Sequence, residues 1–412
     1  TRADPADYDR ASGILATATE EHADSTIIND LRFDLANCLM ARTNPDWEVA
    51  LASLTLLSAE KSFGQQGEVL SQISVFQQKL GKHEESLGSN NKFLAEHAEH
   101  RLVAEARFMK AENLFVLGRR NEASKSYTEF LEAHPKHPNQ LAATFRQAQI
   151  HHAEGRWANC LETSAAIAAA NPEGPLYEQL PFMIGDSFFR QEKWEEAVKP
   201  LSEFLSGRVT ESEGAITVKS GPNVDTALIQ LAVCHDRGGR KEAALAQLDL
   251  VVNSYPDKTG QLPLALAEQG RLAYESENLP LSRKALQEFR DLDTSEDELF
   301  SQSAGKQRPR VYYYLGWVDA LEGKHAAAAQ SFKAVVETQA DHPLAPDAAL
   351  QHGIALFNAG SLEESSKQFQ AVLAGYEQHP KLARVVYHLG LSLARQKPVS
   401  YTHLTLPTKR IV

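Results

Sequence analysis

Six glycines are spaced along the chain at intervals that follow one period: Gly81, Gly118, Gly155, Gly239, Gly323 and Gly360. Three of the steps between neighbouring glycines are each 37 residues. Each of the two longest steps has room for two repeats plus a short insertion. A fixed period in this range is the sequence signature of a repeat array, in which each unit packs on its neighbours. Such arrays present long binding surfaces, so the spacing directs the functional interpretation towards interaction and away from a single catalytic pocket.

The stretch from Ala104 to Pro135 shows what one unit contains. Apolar residues at three- and four-residue spacing predict a helix that runs through Phe115. Gly118 ends this helix, because glycine adopts the left-handed conformation of a helix C-terminus without steric cost. A second periodic run extends to Leu131, and the proline that follows cannot continue it. The unit is therefore a helix, a tight turn, a second helix and a proline-containing spacer.

Small residues recur seven positions before the turn and five after it, as at Gly316 and Ala328. We interpret these positions as the point where the two helices cross closely, with large residues such as Phe332 filling the next layer. One helix pair cannot bury its own apolar face, so each pair must pack on its neighbours. Glu192 and Glu277 occupy the turn position without breaking the register, which indicates that helix packing and not glycine defines the unit. The sequence predicts an all-α solenoid.

This pattern resembles the tetratricopeptide repeat family. Gly353, Gly360, Leu362, Ser365 and Phe369 match, in order, the family's small eighth residue, its glycine turn, a bulky residue two positions later, a small residue and an aromatic residue. The resemblance implies a right-handed superhelical solenoid of antiparallel helix pairs. The period of 37 residues departs from the family's usual 34, and the extra residues lie in spacers such as 135–138 and 342–346. These spacers are similar to those of bacterial envelope members, namely the outer-membrane assembly lipoproteins and the Tol–Pal coordinators.

The repeat pattern predicts the organisation of the chain. Residues 1–30 are interpreted as a partial N-terminal repeat, and residues 31–398 as a solenoid of about nine helix pairs. Two insertions interrupt the array: 207–223 is expected to be an ordered loop, and 291–308 a solvated acidic loop. The tail, 399–412, breaks the helical composition and resembles the translation of a sequencing-library adapter, so we exclude it from fold and function. We expect the native chain to extend past both ends.

Composition limits the partners. The formal net charge of −12 disfavours nucleic acid and anionic membranes, and no apolar run is long enough to insert into a membrane. Cys38, Cys160 and Cys234 are far apart and lie in apolar periodic segments, which is typical of small buried residues. We expect a protein or peptide partner and no cofactor.

Chemical motifs are weak. Among the fifteen histidines, His97 and His100 are three residues apart, as are His134 and His137, but neither pair has a third ligand at helical spacing. No phosphate loop, dinucleotide fingerprint, zinc-protease motif or nucleophile elbow is present. The sequence therefore predicts neither a metal site nor an enzyme.

The family resemblance implies that first helices line a concave groove. Aromatic and arginine side chains, which commonly anchor protein interfaces, occupy many of the groove positions. The candidate groove residues are Phe108, Phe145, Arg146, Gln149, Phe182, Phe189, Arg190, Arg271, Tyr274, Tyr313, Tyr314, Trp317, Phe357 and Tyr387. The alternative is that the fifth and twelfth positions of each repeat pack against the next repeat. No fifth position is lysine, which argues against the carboxylate clamp of chaperone-docking members.

The resulting hypothesis is a non-enzymatic scaffold or adaptor that binds a protein or peptide in this groove. Two alternatives stay open: a docking or sensory arm of a larger enzyme or regulator, and an outer-membrane or cell-envelope assembly factor. On the spacers, the bacterial periplasm or cell envelope is favoured over the cytoplasm.

Overall fold

The structure, a computed structural model, describes residues 5–396 except 171–173, 175–176, 213–214, 256–258, 295–297 and 377–379. The excluded tail therefore lies outside the described residues. Within the described ranges the chain forms 21 α-helices and two short strands. The helices are α1 Pro5–Glu21, α2 Ile28–Ala41, α3 Trp47–Ala59, α4 Gln66–Lys79, α5 His83–Glu96, α6 Val103–Val116, α7 Arg120–Ala133, α8 Gln140–Ala153, α9 Trp157–Ala170, α10 Leu180–Arg190, α11 Trp194–Leu205, α12 Val224–Arg237, α13 Lys241–Asp249, α14 Leu262–Glu275, α15 Leu279–Asp293, α16 Glu298–Ala304, α17 Arg308–Leu321, α18 His325–Thr338, α19 Ala345–Asn358, α20 Leu362–Gly375 and α21 Leu382–Gln396. The strands are β1 Val209–Ser212 and β2 Ala215–Val218.

Consecutive helices pack in pairs, and this confirms the all-α solenoid. The chain divides into two compact units, Thr1–Ser187 and Phe188–Val412, with the division inside α10. In the N-terminal unit the pairs are α2/α3, α4/α5, α6/α7 and α8/α9, and α1 is a single helix that packs on α2. In the C-terminal unit they are α12/α13, α14/α15, α17/α18 and α19/α20, with α21 as a single last helix within the described residues.

The turn inside each pair has the backbone conformation that the sequence pattern requires. Every glycine of the 37-residue series has a positive φ, between 70° and 86°. Glu192 and Glu277 adopt the same conformation, with φ of 58° and 61°. A non-glycine residue in this region pays a steric cost, so the packing of the helices on either side must hold it there.

The close crossing of the two helices in a pair is visible at Gly353 of α19. A Cβ atom added there would lie 2.5 Å from the ring of Phe369 on α20, so only glycine allows this approach. The Ser365 hydroxyl of α20 donates to the carbonyl oxygen of Gly353 at 2.9 Å. The Ser282 hydroxyl bonds to the Gly270 carbonyl in the same way, at 2.8 Å. Small residues at these positions therefore serve both close packing and a hydrogen bond between the two helices.

Both insertions contain regular structure. In the first, β1 and β2 form an antiparallel hairpin in which Val209 pairs with Val218, so the expected ordered loop is a two-stranded sheet. The second does not match the expected solvated loop, because α15 runs on to Asp293 and α16 follows. Phe300 and Ala304 of α16 are buried, which gives this acidic segment an apolar side that packs on α14 and α15.

Candidate functional site

The predicted groove residues all lie on first helices, from α6 to α21, but their environments differ. Phe145, Phe182 and Phe357 expose only 5%, 8% and 8% of their surface. Phe145 packs in a cluster with Ala148 and Cys160, as a core residue does. A side chain this deeply buried offers no contact surface to a partner, so the groove assignment is wrong for these three phenylalanines. The alternative describes them, because they pack inside the array.

Arg146 on α8 is held by the preceding first helix. Its Nε and Nη2 atoms donate to the two carboxylate oxygens of Glu112 on α6 at 3.0 and 3.1 Å, and its Nη1 donates to Gln149 Oε1 at 3.0 Å. The guanidinium carbon lies 4.6 Å from the centre of the Phe115 ring. The Tyr127 hydroxyl also donates to Glu112, and burial together with this carboxylate raises the pKa of the tyrosine. Arg146 and Gln149 therefore already have partners within the chain.

An open groove lies between α4 and α6. Its cavity has a volume of about 350 Å³. It is lined by Ser71, Ser74, Val75, Gln78, Leu102, Glu105, Ala106, Phe108, Met109, Glu112 and Asn139. We call these residues the α4/α6 groove. Of the predicted residues only Phe108 belongs to it, half-buried against Phe130, whose ring centre is 5.5 Å away.

The hydrogen bonds that run from α4 to α6 beside the α4/α6 groove join neutral groups. The Ser74 hydroxyl donates to the Met109 sulfur at 3.3 Å, and the Gln78 amide donates to Asn113 Oδ1 at 3.3 Å. Glu105 stands at the rim, with its Oε1 3.6 Å from Nε2 of His137. The groove thus combines an apolar floor with carboxylates at its edge, an arrangement suited to an apolar side chain that is flanked by positive charge.

The C-terminal unit places charges at the equivalent location. Arg271 on α14 contacts three carboxylates: Asp236 at 2.6 Å, Glu268 at 2.8 Å and Glu275 at 2.9 Å. Arg310 on α17 pairs with Glu268 as well. Burial lowers the pKa of the Arg271 guanidinium, but hydrogen bonds to Asp236 and Glu275 outweigh it and the pKa is raised. We call these five residues the Arg271 cluster.

The aromatic residues of this unit pack around the same helices. The Tyr274 and Tyr314 rings have centres 5.4 Å apart. The Tyr313 hydroxyl donates to Asp347 Oδ2 at 2.7 Å, and burial together with this hydrogen bond raises the pKa of the tyrosine. Trp317 lies edge-on to Phe332, with centres 5.6 Å apart. All four predicted aromatics are half-buried and in contact with the chain itself.

Three predicted residues remain. Phe189 is half-buried, and its ring centre lies 5.2 Å from that of Trp194. Arg190 is exposed at the end of α10. Tyr387 on α21 is the most open of the predicted aromatics.

Several important residues were not predicted, above all Met109, Glu112 and Glu268. A signal for them exists in the sequence. The contacts of Arg146 with Glu112, of Arg271 with Asp236 and of Tyr313 with Asp347 span 34, 35 and 34 residues. A search for complementary polar pairs at this spacing, slightly less than one period, would identify such partners in neighbouring first helices.

The paired histidines have a structural role. The His100 and His137 rings pack edge-on against Phe93 and Phe130, with centres 5.4 and 5.2 Å apart. Their Nδ1 atoms accept the backbone N–H two residues later, at 3.3 and 3.2 Å, just before the next helix begins. Among the residues that the structure describes, no group of three or more His, Cys, Asp and Glu side chains is placed to hold a metal ion.

Solved structures with low sequence identity resemble this chain. The C-terminal part of a repeat protein from Cytophaga hutchinsonii is 12% identical, with 67% of this chain and 97% of that chain covered and a TM-score of 0.48. A tetratricopeptide repeat protein from Parabacteroides merdae is 12% identical, with 72% and 99% covered and a TM-score of 0.38. PilF from Pseudomonas aeruginosa is 14% identical, with 59% and 95% covered and a TM-score of 0.40. A search of curated protein sequences gives no significant match.

Two parts of the chain match models of a known protein family. Residues 108–175 and 226–258 each match a tetratricopeptide repeat model. The first match lies in the N-terminal unit and the second in the C-terminal unit. No helix in the described part of the chain is long and apolar enough to cross a membrane. Together with the repeating helix pairs, the two matches support a tetratricopeptide repeat protein and a role as a protein–protein interaction scaffold.

Proposed function

We propose that this protein is a non-enzymatic scaffold that binds an extended peptide segment of a partner protein in the α4/α6 groove. The observation that carries the proposal is the open, largely apolar cavity between two neighbouring first helices. Its volume of about 350 Å³ is within the range of ligand-binding clefts. A cavity of about 290 Å³ also lies at the Arg271 cluster, but five of its six lining residues are charged, so it does not offer the same apolar floor.

The lining supports a particular class of peptide. Val75, Phe108 and Met109 are half-buried and offer apolar contacts, and methionine adapts its shape to different side chains. Glu105 and Glu112 supply two carboxylates, of which Glu112 is already paired with Arg146. An apolar anchor side chain with a lysine or arginine beside it matches this combination. The expected affinity comes from the buried anchor, and the rim carboxylates contribute orientation and salt dependence.

The test is a groove-filling variant, Ser71→Trp, because Ser71 lines the groove and is only half-buried. Peptides are selected from a displayed random library on the unmodified protein, and the dissociation constants of the purified peptides are then measured on both proteins. We expect an apolar–basic consensus and binding to Ser71→Trp that is weaker by at least about tenfold, since the indole occupies the anchor's space.

Lys125→Trp on the second helix α7 is the matched control, because the Lys125 side chain is exposed and lies outside the groove. It adds the same indole and is expected to leave the affinity unchanged. Peptides that bind the unmodified protein and Ser71→Trp equally well would contradict the proposed site.

A further inference from the structure

A second cavity of the N-terminal unit lies between α5, α6 and α7 and shares no lining residue with the α4/α6 groove. Val103, Arg107 and Lys110 of α6 follow one another at spacings of four and three residues, so they project from one face of that helix. The volume is about 190 Å³. Clefts for whole drug-sized ligands begin at roughly 300 Å³, so this cavity suits a single chemical group. We call it the α6/α7 cavity, and its lining includes Leu94, Val103, Arg107, Lys110, Ser126 and Glu129.

Two cations of the α6/α7 cavity lack a counter-charge. Arg107 and Lys110 are both half-buried, and neither forms an ion pair with another residue in the described part of the chain. The Nη1 atom of Arg107 lies 3.5 Å from Nε2 of His134. Burial and the Arg107 guanidinium lower the pKa of His134, so this ring is neutral near pH 7. Charged groups that are withdrawn from water are normally paired, and an anion in the cavity would supply the missing partner.

The carboxylates nearby do not neutralise these cations. Glu129 is exposed, and its Oε1 lies 3.9 Å from Nζ of Lys125. Glu122 is held by Arg119, which donates two hydrogen bonds to it at 2.8 and 2.7 Å. The two cations and Lys125, set against Glu129, leave an excess of two positive charges at the cavity. A phosphate monoester matches this excess, because it carries about −1.5 to −2 charges at pH 7.

The neutral groups of the cavity fit the same ligand. Ser126 exposes only 8% of its surface, and its hydroxyl makes no hydrogen bond to another described residue. Buried hydroxyl groups are normally hydrogen-bonded, so a phosphate oxygen would supply the acceptor that this hydroxyl lacks. Leu94 and Val103 offer apolar contacts to the carbon atoms of an ester.

We propose that the α6/α7 cavity binds a phosphate monoester. The Arg107 guanidinium donates two N–H groups to two phosphate oxygens, because its planar fork fits the geometry of an oxyanion. The Lys110 ammonium and the Ser126 hydroxyl donate to the remaining oxygens. The chemistry is the same for a free small ester and for a phosphorylated side chain of a partner protein. This site does not depend on the peptide that we propose for the α4/α6 groove.

Phosphorus NMR relaxation of a small ester measures its binding to the full chain, because a ligand that exchanges onto a large protein relaxes faster. The probes are glycerol 3-phosphate and phosphoserine capped at both ends, each titrated at a constant ionic strength of about 0.1 M. We expect saturable binding with a dissociation constant on the order of 1 mM. Tighter binding of the capped phosphoserine assigns the site to a phosphorylated side chain. Equal or tighter binding of glycerol 3-phosphate assigns it to a free ester.

The double variant Arg107→Gln/Lys110→Gln removes both cations and is expected to weaken binding by at least about twentyfold. Lys61→Gln/Lys79→Gln is the matched control, because it removes the same charge at two exposed positions outside the cavity. It is expected to leave the dissociation constant unchanged. Ser126→Ala removes one hydrogen bond and should weaken binding about three- to fivefold.

Glu129→Gln provides a test that a misfolded protein cannot pass. It removes the carboxylate at the cavity and is expected to strengthen binding about two- to threefold. The proposal is overturned by the absence of saturable binding of both probes, by equal binding to Arg107→Gln/Lys110→Gln, or by an equal loss in Lys61→Gln/Lys79→Gln. The last result would show that the ester responds only to the overall charge of the protein.

Discussion

The contact between α4 and α6 in the N-terminal unit differs from the contacts among α12, α14 and α17 in the C-terminal unit. Between α4 and α6 the hydrogen bonds of Ser74 and Gln78 join neutral groups, and an open apolar groove remains, although α6 is also linked to α8 by the Arg146–Glu112 ion pair. Around α12, α14 and α17 the contacts are charged, and Arg271 alone reaches three carboxylates. The same helix order therefore gives a cavity with an apolar floor between α4 and α6 and a cavity lined mostly by charged residues at the Arg271 cluster.

Residue type is therefore a poor guide to an interface in a repeat protein. Arginine and aromatic residues are common at binding hot spots, yet Arg271 and Trp317 have their contacts within the chain. In contrast, Met109 and Val75 are unremarkable as residue types, and they line the open groove. What distinguishes the two cases is whether the neighbouring repeat supplies a partner.

The largest expected effect comes from removing the centre of the Arg271 cluster. Arg271→Ala leaves Asp236, Glu268 and Glu275 close together without their shared cation. The Arg271 side chain is 19% exposed, so we expect a cost of about 2–3 kcal/mol, between the values for buried and surface pairs. Hydrogen exchange of the α12 and α14 amides measures this change locally.

Gln78→Ala is the matched variant in the N-terminal unit, since it removes a neutral contact between first helices. We expect it to cost about 1 kcal/mol or less in the opening free energy of α4 and α6. Equal effects of the two substitutions would show that the charged contacts of Arg271 stabilise their helices no more than the neutral contact between α4 and α6 does.

A half-buried histidine, His352, gives the C-terminal unit a second source of acid sensitivity besides its ion pairs. Burial of the His352 imidazole lowers its pKa to about 4, and the nearby Lys333 ammonium adds to the shift. Above about pH 6.5 the ring is neutral in both the folded and unfolded states. As the pH falls from about 6.5 to 4, only the unfolded state takes up the proton, so stability is lost over that window.

After allowance for partial exposure, the loss is expected to be about 2 kcal/mol relative to His352→Gln. Urea unfolding followed in the C-terminal unit at a series of pH values provides the measurement. If wild type and His352→Gln lose stability in parallel, then the acid sensitivity resides in the ion pairs and not in this histidine.

The smallest effect concerns the turn that both units share. Glu277 has a φ of 61°, and Glu277→Gly removes the steric cost of this conformation but adds freedom to the unfolded chain. We expect a net gain of about 0.5 kcal/mol in unfolding free energy. Gly118→Ala in the N-terminal unit should lose about 1 kcal/mol, because Gly118 has a φ of 74°. Thermal unfolding of both variants shows whether the turns are equivalent.

The fold could be predicted from the sequence in most respects, because the same turn, small and large positions recur in successive repeats. The turn positions, the small residues at Gly353 and Ser365 and the large residue at Phe369 follow from the period alone. The insertions follow no repeat, so the period predicts neither the hairpin of β1 and β2 nor helix α16. Their structure depends on local strand pairing and on a few buried residues such as Phe300.

The candidate site was less predictable. Position within the repeat places Phe108 and Phe145 on equivalent turns of α6 and α8, but one lines the groove and the other is buried. The outcome depends on the size and charge of side chains from the adjacent repeats, at spacings of about 34 residues. The period fixes the position of a side chain on its helix, whereas the side chains of the adjacent repeats decide whether it is accessible.

The hydroxyl bonds between paired helices have a mechanical consequence. Ser86, Ser282 and Ser365 each fasten a second helix to a carbonyl of the first helix 12 residues earlier. Under tension along the chain, such a pair resists as a unit, because its two helices are joined at their closest approach and each pair contacts only its neighbours. A pulled array is then expected to lengthen stepwise, releasing about 120 Å of extended chain for each unit of 37 residues. Because each pair also buries the apolar face of its neighbours, the opening of one unit is expected to weaken the units next to it.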